Sequence, residues 1–307
     1  MLNNEPATAE DIQQAQAVYT EEKSKTPFKM ALSRFLKNKL AVLGVIVLLL
    51  MVLMAVFAPL LTKHEPTASN LMLVEQGPSS EHILGTDSSG RDNFSRLLFG
   101  SRISLIVGFS AMLFTLFFGI VTGAAAGYYG GKIDAVIMRL ADLVLALPFF
   151  VLALTIISLV EEVTITIFVL VIAATTWPNL SRIIRGSFLS LREQEFTLSA
   201  KAIGAGDLRM IIKHYLPNAI GPIVVNATLM MATMIIIESG MSFIGMGIPQ
   251  PTPTWGNMIS EAQNIRILRD HPEAWLPPGL CILATVLSIN FIGDGLRDAF
   301  DPKSSRS

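Results

Sequence analysis

Residues 190–218 read SLREQEFTLSAKAIGAGDLRMIIKHYLPN and lie between two long apolar runs. The segment predicts two short helices hinged at residues 204–206, because glycine readily adopts the positive φ that ends a helix. Ser190 followed by Glu193 has the spacing of a capping box and predicts the start of the first helix. A segment with this much predicted order between apolar runs indicates that another molecule docks there.

Both predicted helices are amphipathic. In the first, Phe196, Ala200 and Ile203 share one face at i, i+4 and i+7. The second starts at the N-cap residue Asp207 and ends at Pro217, just before the next apolar run. One interpretation of such a pair is an element that lies on the membrane surface. The apolar stripe of the second helix contains Leu208, Ile211, Ile212, Tyr215 and Leu216.

The composition indicates a polytopic membrane protein. The 307 residues are 51% hydrophobic and 15% charged, whereas charged residues make up about 25% of soluble domains. A net charge of −1 provides no basic field for nucleic acid, so no nucleic-acid partner is expected. The single cysteine, Cys281, excludes a disulfide within the chain. The histidines show no metal-ligand spacing and predict no metal site; they are His64, His82, His214 and His271.

Six apolar runs predict six transmembrane helices and an all-α fold. The first is free of charged residues and would be about 33 Å long as a helix, enough to cross a bilayer. Pro148 and Pro222 can kink the third and fifth runs. Gly119, Gly123 and Gly127 in the second run predict close contact with another helix. The runs are 40–61, 103–126, 143–160, 163–181, 218–237 and 276–293.

Lysine and arginine set the predicted orientation. Of the 23 basic residues, six fall on the side opposite the N-terminus: Lys63, Arg91, Arg96, Arg102, Arg266 and Arg269. The positive-inside rule therefore places both termini and the helices of 190–217 in the cytoplasm. The predicted organisation is a cytoplasmic tail whose amphipathic helix lies on membrane lipid (1–39), a first transmembrane helix (40–61), an extracytoplasmic loop (62–102), a five-helix core (103–297) and a cytoplasmic tail (298–307).

Four stretches resemble one family. Residues 199–204, SAKAIG, together with Leu216 and Pro217, resemble the EAA loop of ABC-importer permeases, the segment that contacts the ATPase subunit. Leu198 occupies the position that is usually acidic in that loop. Three further stretches resemble blocks of the dipeptide/oligopeptide/nickel group of these permeases, namely 82–105, 238–260 and 291–302. The chain is therefore similar to the C-type permease subunit of a peptide ABC importer.

This resemblance implies a type I ABC-importer permease fold and a subunit that forms half of a translocation pathway for di- or oligopeptides. The implied partners are a homologous permease in a heterodimer, two cytoplasmic ATPase subunits and an extracytoplasmic peptide-binding protein. ATP and magnesium belong to the ATPase subunits, so no cofactor is expected in this chain. The implied location is a bacterial or archaeal cell membrane. The implied ATPase-coupling residues are Glu195, Phe196, Ser199, Ala200, Lys201, Ala202, Ile203, Gly204, Leu216 and Pro217.

The chain has no nucleotide-binding loop of its own. Gly131 and Lys132 superficially suggest one, but Ala126 stands where the first glycine of a phosphate loop belongs. Ile133 stands where its magnesium-binding hydroxyl belongs. We therefore expect no enzyme activity in this chain and expect ATP hydrolysis to come from other chains.

Polar residues inside the apolar runs are candidates for lining a translocation pathway. Asn226 and Thr233 lie in the fifth run and Asn290 in the sixth, where polar groups are costly. The alternative is interhelical hydrogen bonding, worth about 0.6 kcal/mol on average in membranes.

Two other functions stay open at this point. A nickel importer of the same permease group has the same sequence blocks. A secondary transporter driven by an ion gradient is also conceivable, although the centres of the six runs carry no charged residue. An intramembrane enzyme is the weakest interpretation, because the chain has no plausible nucleophile–base or metal pair.

Overall fold

The computed structural model describes residues 27–300, so the distal parts of the two predicted tails, 1–26 and 301–307, lie outside the described residues. Within the described range the regular secondary structure is helical, apart from one isolated β-bridge between Thr86 and Asp92. Five helices are long and apolar enough to cross a membrane, and the number is six if one bent pair counts as a span. The predicted all-α membrane fold is confirmed.

The helices are numbered here in chain order. A π-helical turn, Ile211–Tyr215, joins α9 to α10, and two short 3-10 turns lie at Leu71–Leu73 and Ser260–Gln263. The helices are α1 Pro27–Lys37, α2 Lys39–Val56, α3 Ala58–Leu61, α4 Asn93–Tyr129, α5 Gly131–Ala146, α6 Phe149–Ser158, α7 Ile165–Arg192, α8 Glu195–Ala202, α9 Asp207–Met210, α10 Leu216–Phe243, α11 Trp255–Ile259, α12 Ile265–Asp270 and α13 Pro272–Phe300.

The third predicted span, 143–160, is not one continuous helix. The chain bends by 89° between α5 and α6, and Leu147 at the break has an extended backbone conformation. Pro148 follows it, and a proline disfavours helical conformation in the residue before it. The bend places α5 beside α7, and two ion pairs join these helices: Arg182 with Asp142 at 2.6 Å and Arg185 with Asp134 at 2.5 Å.

The most extensive helix pair among the described elements is α4 with α7. A Cβ atom placed on any of the three α4 glycines with the predicted four-residue spacing would lie 2.6 to 2.8 Å from atoms of α7. The predicted role of the four-residue glycine spacing in close helix packing is confirmed. The contacts are Gly119 with Leu180, Gly123 with Ser181 and Gly127 with Phe188.

The helix α4 joins two ends of the bundle. We call residues 62–92 together with 244–264 the loop end, and residues 193–215 the α8 end. Helix α4 begins at Asn93, directly after the first loop-end segment, and ends at Tyr129, next to Tyr128, whose hydroxyl bonds Asp207 of the α8 end. The two ends are therefore connected by one uninterrupted helix.

Hydrogen bonds across the loop end fasten its two segments to each other and to α4. Arg91 donates from Nε to Asp87 at 2.6 Å and from Nη2 to Gln250 at 2.8 Å. Trp255 is fully buried and donates its indole N–H to Ser101 Oγ on α4 at 3.1 Å. Two of the sequence blocks that resemble peptide permeases are thus in direct contact, although they are far apart in the chain.

The loop end brings together two histidines that are far apart in the sequence. The rings of His64 and His82 have centroids 4.6 Å apart, and His82 Nδ1 lies 2.9 Å from Asp92 Oδ1. The bridge between Thr86 and Asp92 folds the loop back onto the start of α4. Sequence spacing gave no indication of this meeting, because it depends on the path of the whole loop.

We expect Gly123→Ala to destabilise the bundle by about 1–3 kcal/mol. The added methyl group would lie 2.6 Å from the carbonyl oxygen of Ser181, a backbone atom that cannot rotate away. Gly186→Ala on α7 is the matched control, because nothing lies within 4 Å of its added carbon. Thermal unfolding of the purified variants in detergent measures the difference, and an unchanged unfolding temperature for Gly123→Ala would contradict the proposed contact.

Glu261 gives the stability of the loop end a dependence on pH. Burial, and next the nearby Asp87 carboxylate, raise the pKa of Glu261 from 4.5 to about 7. The folded chain therefore holds this proton more tightly than the unfolded chain, and the free energy of unfolding decreases as the pH rises from about 4.5 to 7.

We expect the unfolding temperature of the wild type to fall between pH 5 and pH 8 and to fall less in Glu261→Gln, which stays neutral throughout. Fluorimetric unfolding of the purified chain in nanodiscs over this pH range tests the expectation. Glu161→Gln, at an exposed position, serves as the control and should keep the wild-type slope. Parallel curves for the wild type and Glu261→Gln would show that another group causes the effect.

Candidate functional site

The first helix of the α8 end starts later than predicted. Helix α7 continues through Ser190 to Arg192, and Gln194 is the N-cap of α8. The capping box predicted at Ser190 and Glu193 is therefore wrong. Helix α7 stays regular here because Phe188, which is fully buried, holds its last turns against α4.

The predicted glycine hinge is confirmed at Gly204, where φ is +83°. The Ala205 N–H donates to the Ala200 carbonyl at 3.1 Å and closes a Schellman motif at the end of α8. Gly206 has a negative φ and is the N-cap of α9. Asp207 is consequently the first residue of α9, not its N-cap as predicted, and its carboxylate is free to bind elsewhere.

Pro217 does not end the second helix. It lies in the first turn of α10, directly after the π-helical turn Ile211–Tyr215. A proline cannot donate the i−4 hydrogen bond, and here the irregular turn accommodates that loss. The fifth predicted run, 218–237, is thus the middle of a longer span, Asp207–Phe243.

Three aromatic residues, which we call the aromatic clamp, fasten the α8 end to the bundle: Tyr128 of α4, Phe188 of α7 and Tyr215 of the π-helical turn. Tyr215 packs edge-to-face on the other two, with centroid distances of 5.4 Å to Tyr128 and 5.2 Å to Phe188. Tyr128 donates its O–H to Asp207 at 2.7 Å. The Lys201 ammonium lies 5.5 Å from the centroid of the Tyr128 ring. The clamp therefore ties both short helices to α4.

Helix α8 has a buried face and an exposed face. Thr197 and Ala200 are buried, and Thr197 donates its hydroxyl to the Leu191 carbonyl at 2.8 Å. Phe196 and Leu216 pack partly against the same core. Within the predicted coupling set, Ala200, Phe196 and Leu216 therefore hold the α8 end against the bundle. The exposed members of that set are Glu195, Ser199, Lys201, Ala202, Ile203, Gly204 and Pro217.

Large apolar side chains protrude from the exposed face. Ile203 is 87% exposed, although the i, i+4, i+7 pattern predicts it on the buried face, because it is the C-cap and leaves the helical period. Leu198 is 65% exposed and Leu208 is 70% exposed. The predicted stripe of the second helix is thus only partly buried, since Ile212 is exposed as well.

A basic cavity adjoins these apolar residues. Its volume is about 390 Å³, and its walls come from the end of α8, the glycine hinge and the helical segment that follows. Arg209 and Lys213 contribute the positive charges. The α8 end therefore combines protruding apolar groups with a positively charged recess.

The predicted pathway residues lie on two helices, Asn226 and Thr233 on α10 and Asn290 on α13. Asn226 lines a cavity of about 440 Å³ between α10 and α13 together with Arg297, and it donates to the Pro222 carbonyl at 2.8 Å. Thr233 is exposed two turns further along α10 and donates to its own helix. Asn290 is half-buried on α13. The hydrogen bonds of Asn226 and Thr233 run within α10, so they do not support the alternative of interhelical bonding.

Comparison with known families identifies the chain. Residues 119–306 match the profile described as the inner membrane component of binding-protein-dependent transport systems. The chain belongs to this family of permeases. Residues 26–78 also match the N-terminal TM domain of oligopeptide transport permease C. The protein is therefore a multi-pass cell-membrane permease and not an enzyme.

Curated relatives cover nearly the whole permease. It is 42% identical over 278 residues to the dipeptide transport system permease protein DppC of Alkalihalophilus pseudofirmus, covering 91% of this chain and 90% of that protein. It is 38% identical over 281 residues to the oligopeptide transport system permease protein OppC of Bacillus subtilis, covering 92% and 91%.

A solved structure confirms the expected fold. The inward-facing MetNI methionine ABC transporter contains a chain that matches this permease with a TM-score of 0.55 and 18% sequence identity. The match covers 68% of this chain and 98% of that chain. The permease thus has the type I ABC-importer fold.

We expect Tyr128→Phe to loosen the α8 end, because it removes the hydrogen bond to Asp207, worth about 1 kcal/mol. Amide hydrogen exchange in residues 195–210 should become roughly fivefold faster, which corresponds to that free energy. Tyr129→Phe is the matched control, since Tyr129 is half exposed and its ring contacts that of Tyr128. Equal exchange in the two variants would mean that the hydroxyl does not hold the segment.

Proposed function

We propose that this permease is the transmembrane subunit of an ATP-driven importer of di- or oligopeptides, in which it forms half of the translocation pathway. The names of its relatives, dipeptide and oligopeptide permeases, support this cargo class. A homologous permease supplies the other half of the pathway. Two cytoplasmic ATPase subunits bind ATP and magnesium, and an extracytoplasmic binding protein delivers the peptide.

The observation that carries the proposal is the exposed apolar edge of a rigidly held helix. Leu198 and Ile203 are exposed, while Ala200 of α8 packs into the core cluster that contains the aromatic clamp and Lys201 lies over the Tyr128 ring. Burying one such side chain in a partner contributes about 1.5–3 kcal/mol. A groove on one ATPase that receives these two residues gains this affinity, and α8 does not have to become ordered on binding.

The charges of the α8 end support the same interface. Arg209 and Lys213 lie beside the apolar edge, and positive charge favours an acidic rim on the partner. The abundance of lysine and arginine on this side of the membrane supports a cytoplasmic location of the α8 end. An ATPase can therefore reach it.

ATP hydrolysis is coupled to transport because the helices between the ATPase and the pathway are stiff and are attached to one another. Closure of the ATPase pair on ATP displaces α8, and the aromatic clamp passes the displacement to α4 and α7. Because α4 continues to the loop end, a movement at one side of the membrane tilts the other side as a rigid body. The driving energy is the preference of ATP for the closed ATPase pair.

The pathway itself runs along the side of α10 that carries two polar residues. Asn226 and Thr233 are seven residues apart, two helical turns, and so lie on the same side of that helix. We propose that they face the homologous permease across the pathway and that Asn290 of α13 also lines it. Peptide amides passing between the subunits can then exchange hydrogen bonds with these side chains.

We expect Ile203→Asp to abolish ATPase binding while leaving the bundle folded, because the side chain is 87% exposed. Ile203→Met, which keeps an apolar side chain of similar size, should retain binding. Co-purification of the tagged permease with its ATPases measures association, and ATP-dependent uptake of labelled peptide into proteoliposomes of the assembly measures function. Full ATPase recovery with Ile203→Asp would refute the proposed docking edge, and peptide uptake without ATP would refute the importer mechanism.

A further inference from the structure

Three potential metal ligands meet at the loop end, outside the membrane-spanning helices. One ligand atom from each of His64, His82 and Asp92 lies within 4.8 Å of the others. His64 follows α3 at the end of the first span, and Asp92 is the N-cap of α4. This cluster lies apart from the α8 end and from the polar residues of α10.

Two of the three ligands are held in place by their own backbone and side-chain contacts. Asp92 accepts the Ser95 N–H with Oδ2 at 2.7 Å, which leaves Oδ1 directed toward His82. The His82 N–H donates to Ser79 Oγ at 2.9 Å, and its carbonyl accepts the Gly85 N–H at 2.9 Å. Both side chains are more than nine-tenths buried. A ligand therefore finds them already ordered.

The third residue gives the cluster access to solvent. His64 is half-buried, and its Nε2 lies 3.1 Å from the Glu81 carbonyl. An imidazole that donates from Nε2 to a carbonyl keeps the lone pair of Nδ1 for a metal, which is a common arrangement around metal-bound histidine. A cavity of about 70 Å³ lined by His64, Asp92 and Lys63 opens beside it. This volume holds one ion and a water molecule.

We propose that His64, His82 and Asp92 bind one divalent transition-metal ion, with Zn²⁺ as the best match. Two imidazole nitrogens and one carboxylate oxygen suit Zn²⁺, Co²⁺ or Ni²⁺, whereas Ca²⁺ and Mg²⁺ require oxygen ligands almost exclusively. The ion takes the place of the proton shared by His82 and Asp92. Water fills the remaining position of the coordination sphere.

The bound ion ties the end of the first span to the start of α4. It closes the loop of residues 64–92 with bonds that are stronger than the existing hydrogen bond. Lys63 is exposed and its ammonium group can turn to solvent, so it does not oppose the cation. The metal is thus a structural ion of the loop end and not a transported cargo.

The test is a Zn²⁺ titration of the full chain, purified with a tag that contains no histidine, in competition with a chromophoric chelator. The wild type should bind one Zn²⁺ per chain, and His64→Gln should bind it at least tenfold more weakly. Asp92→Asn should show the same loss and remain folded, because its amide oxygen still accepts the Ser95 N–H. His271→Gln removes a histidine outside the cluster and should bind like the wild type.

Two further measurements separate a metal site from a merely structural contact. Zinc X-ray absorption should show two imidazole ligands in the wild type and one in His64→Gln. Zn²⁺ should raise the unfolding temperature of the wild type and not of His64→Gln. Equal Zn²⁺ affinity in the wild type, His64→Gln and Asp92→Asn would overturn the proposal, as would a wild-type chain that binds no Zn²⁺ in competition with the chelator.

Discussion

At Gly123 no side chain separates α4 from α7, and the carbonyl group of Ser181 occupies the space that a methyl group would fill. In a bilayer, lipid provides no hydrophobic drive for helices to associate, so dispersion contacts at such short range are the main attraction between them. The same line of glycines ends at Gly127 against Phe188, which is itself part of the aromatic clamp. Helix packing and attachment of the α8 end therefore depend on one contact surface.

This arrangement explains how the exposed helix α8 can be short and yet precisely placed. Eight residues are too few to form a stable helix alone. Thr197 and Ala200 bury one side of α8, and Tyr128 holds the next segment through Asp207. The exposed side is consequently ready for a partner without reorganisation, and preorganisation of this kind reduces the entropic cost of binding.

Local patterns in the sequence predicted the features that depend on neighbouring residues. The spacing around Gly123 predicted close helix packing, and Gly204 predicted the hinge, because both follow from the absence of a side chain. The capping pattern at Ser190 gave a wrong prediction. It reflects neighbouring residues alone, whereas tertiary packing extends α7 past this point. The contact between His64 and His82 could not be predicted from the sequence either, because it depends on the fold of an entire irregular loop.

The length of α4 has a consequence for the lipid environment. Its 37 residues extend about 55 Å, while the hydrocarbon core of a bilayer is about 30 Å thick. Even at a tilt of 40°, the upper end of the usual range, about 42 Å would remain along the membrane normal. Several turns therefore project into water or head groups. When the acyl chains of the membrane lipids become longer or shorter, the edge of the hydrocarbon core can shift along this helix without disturbing the contacts at its two ends.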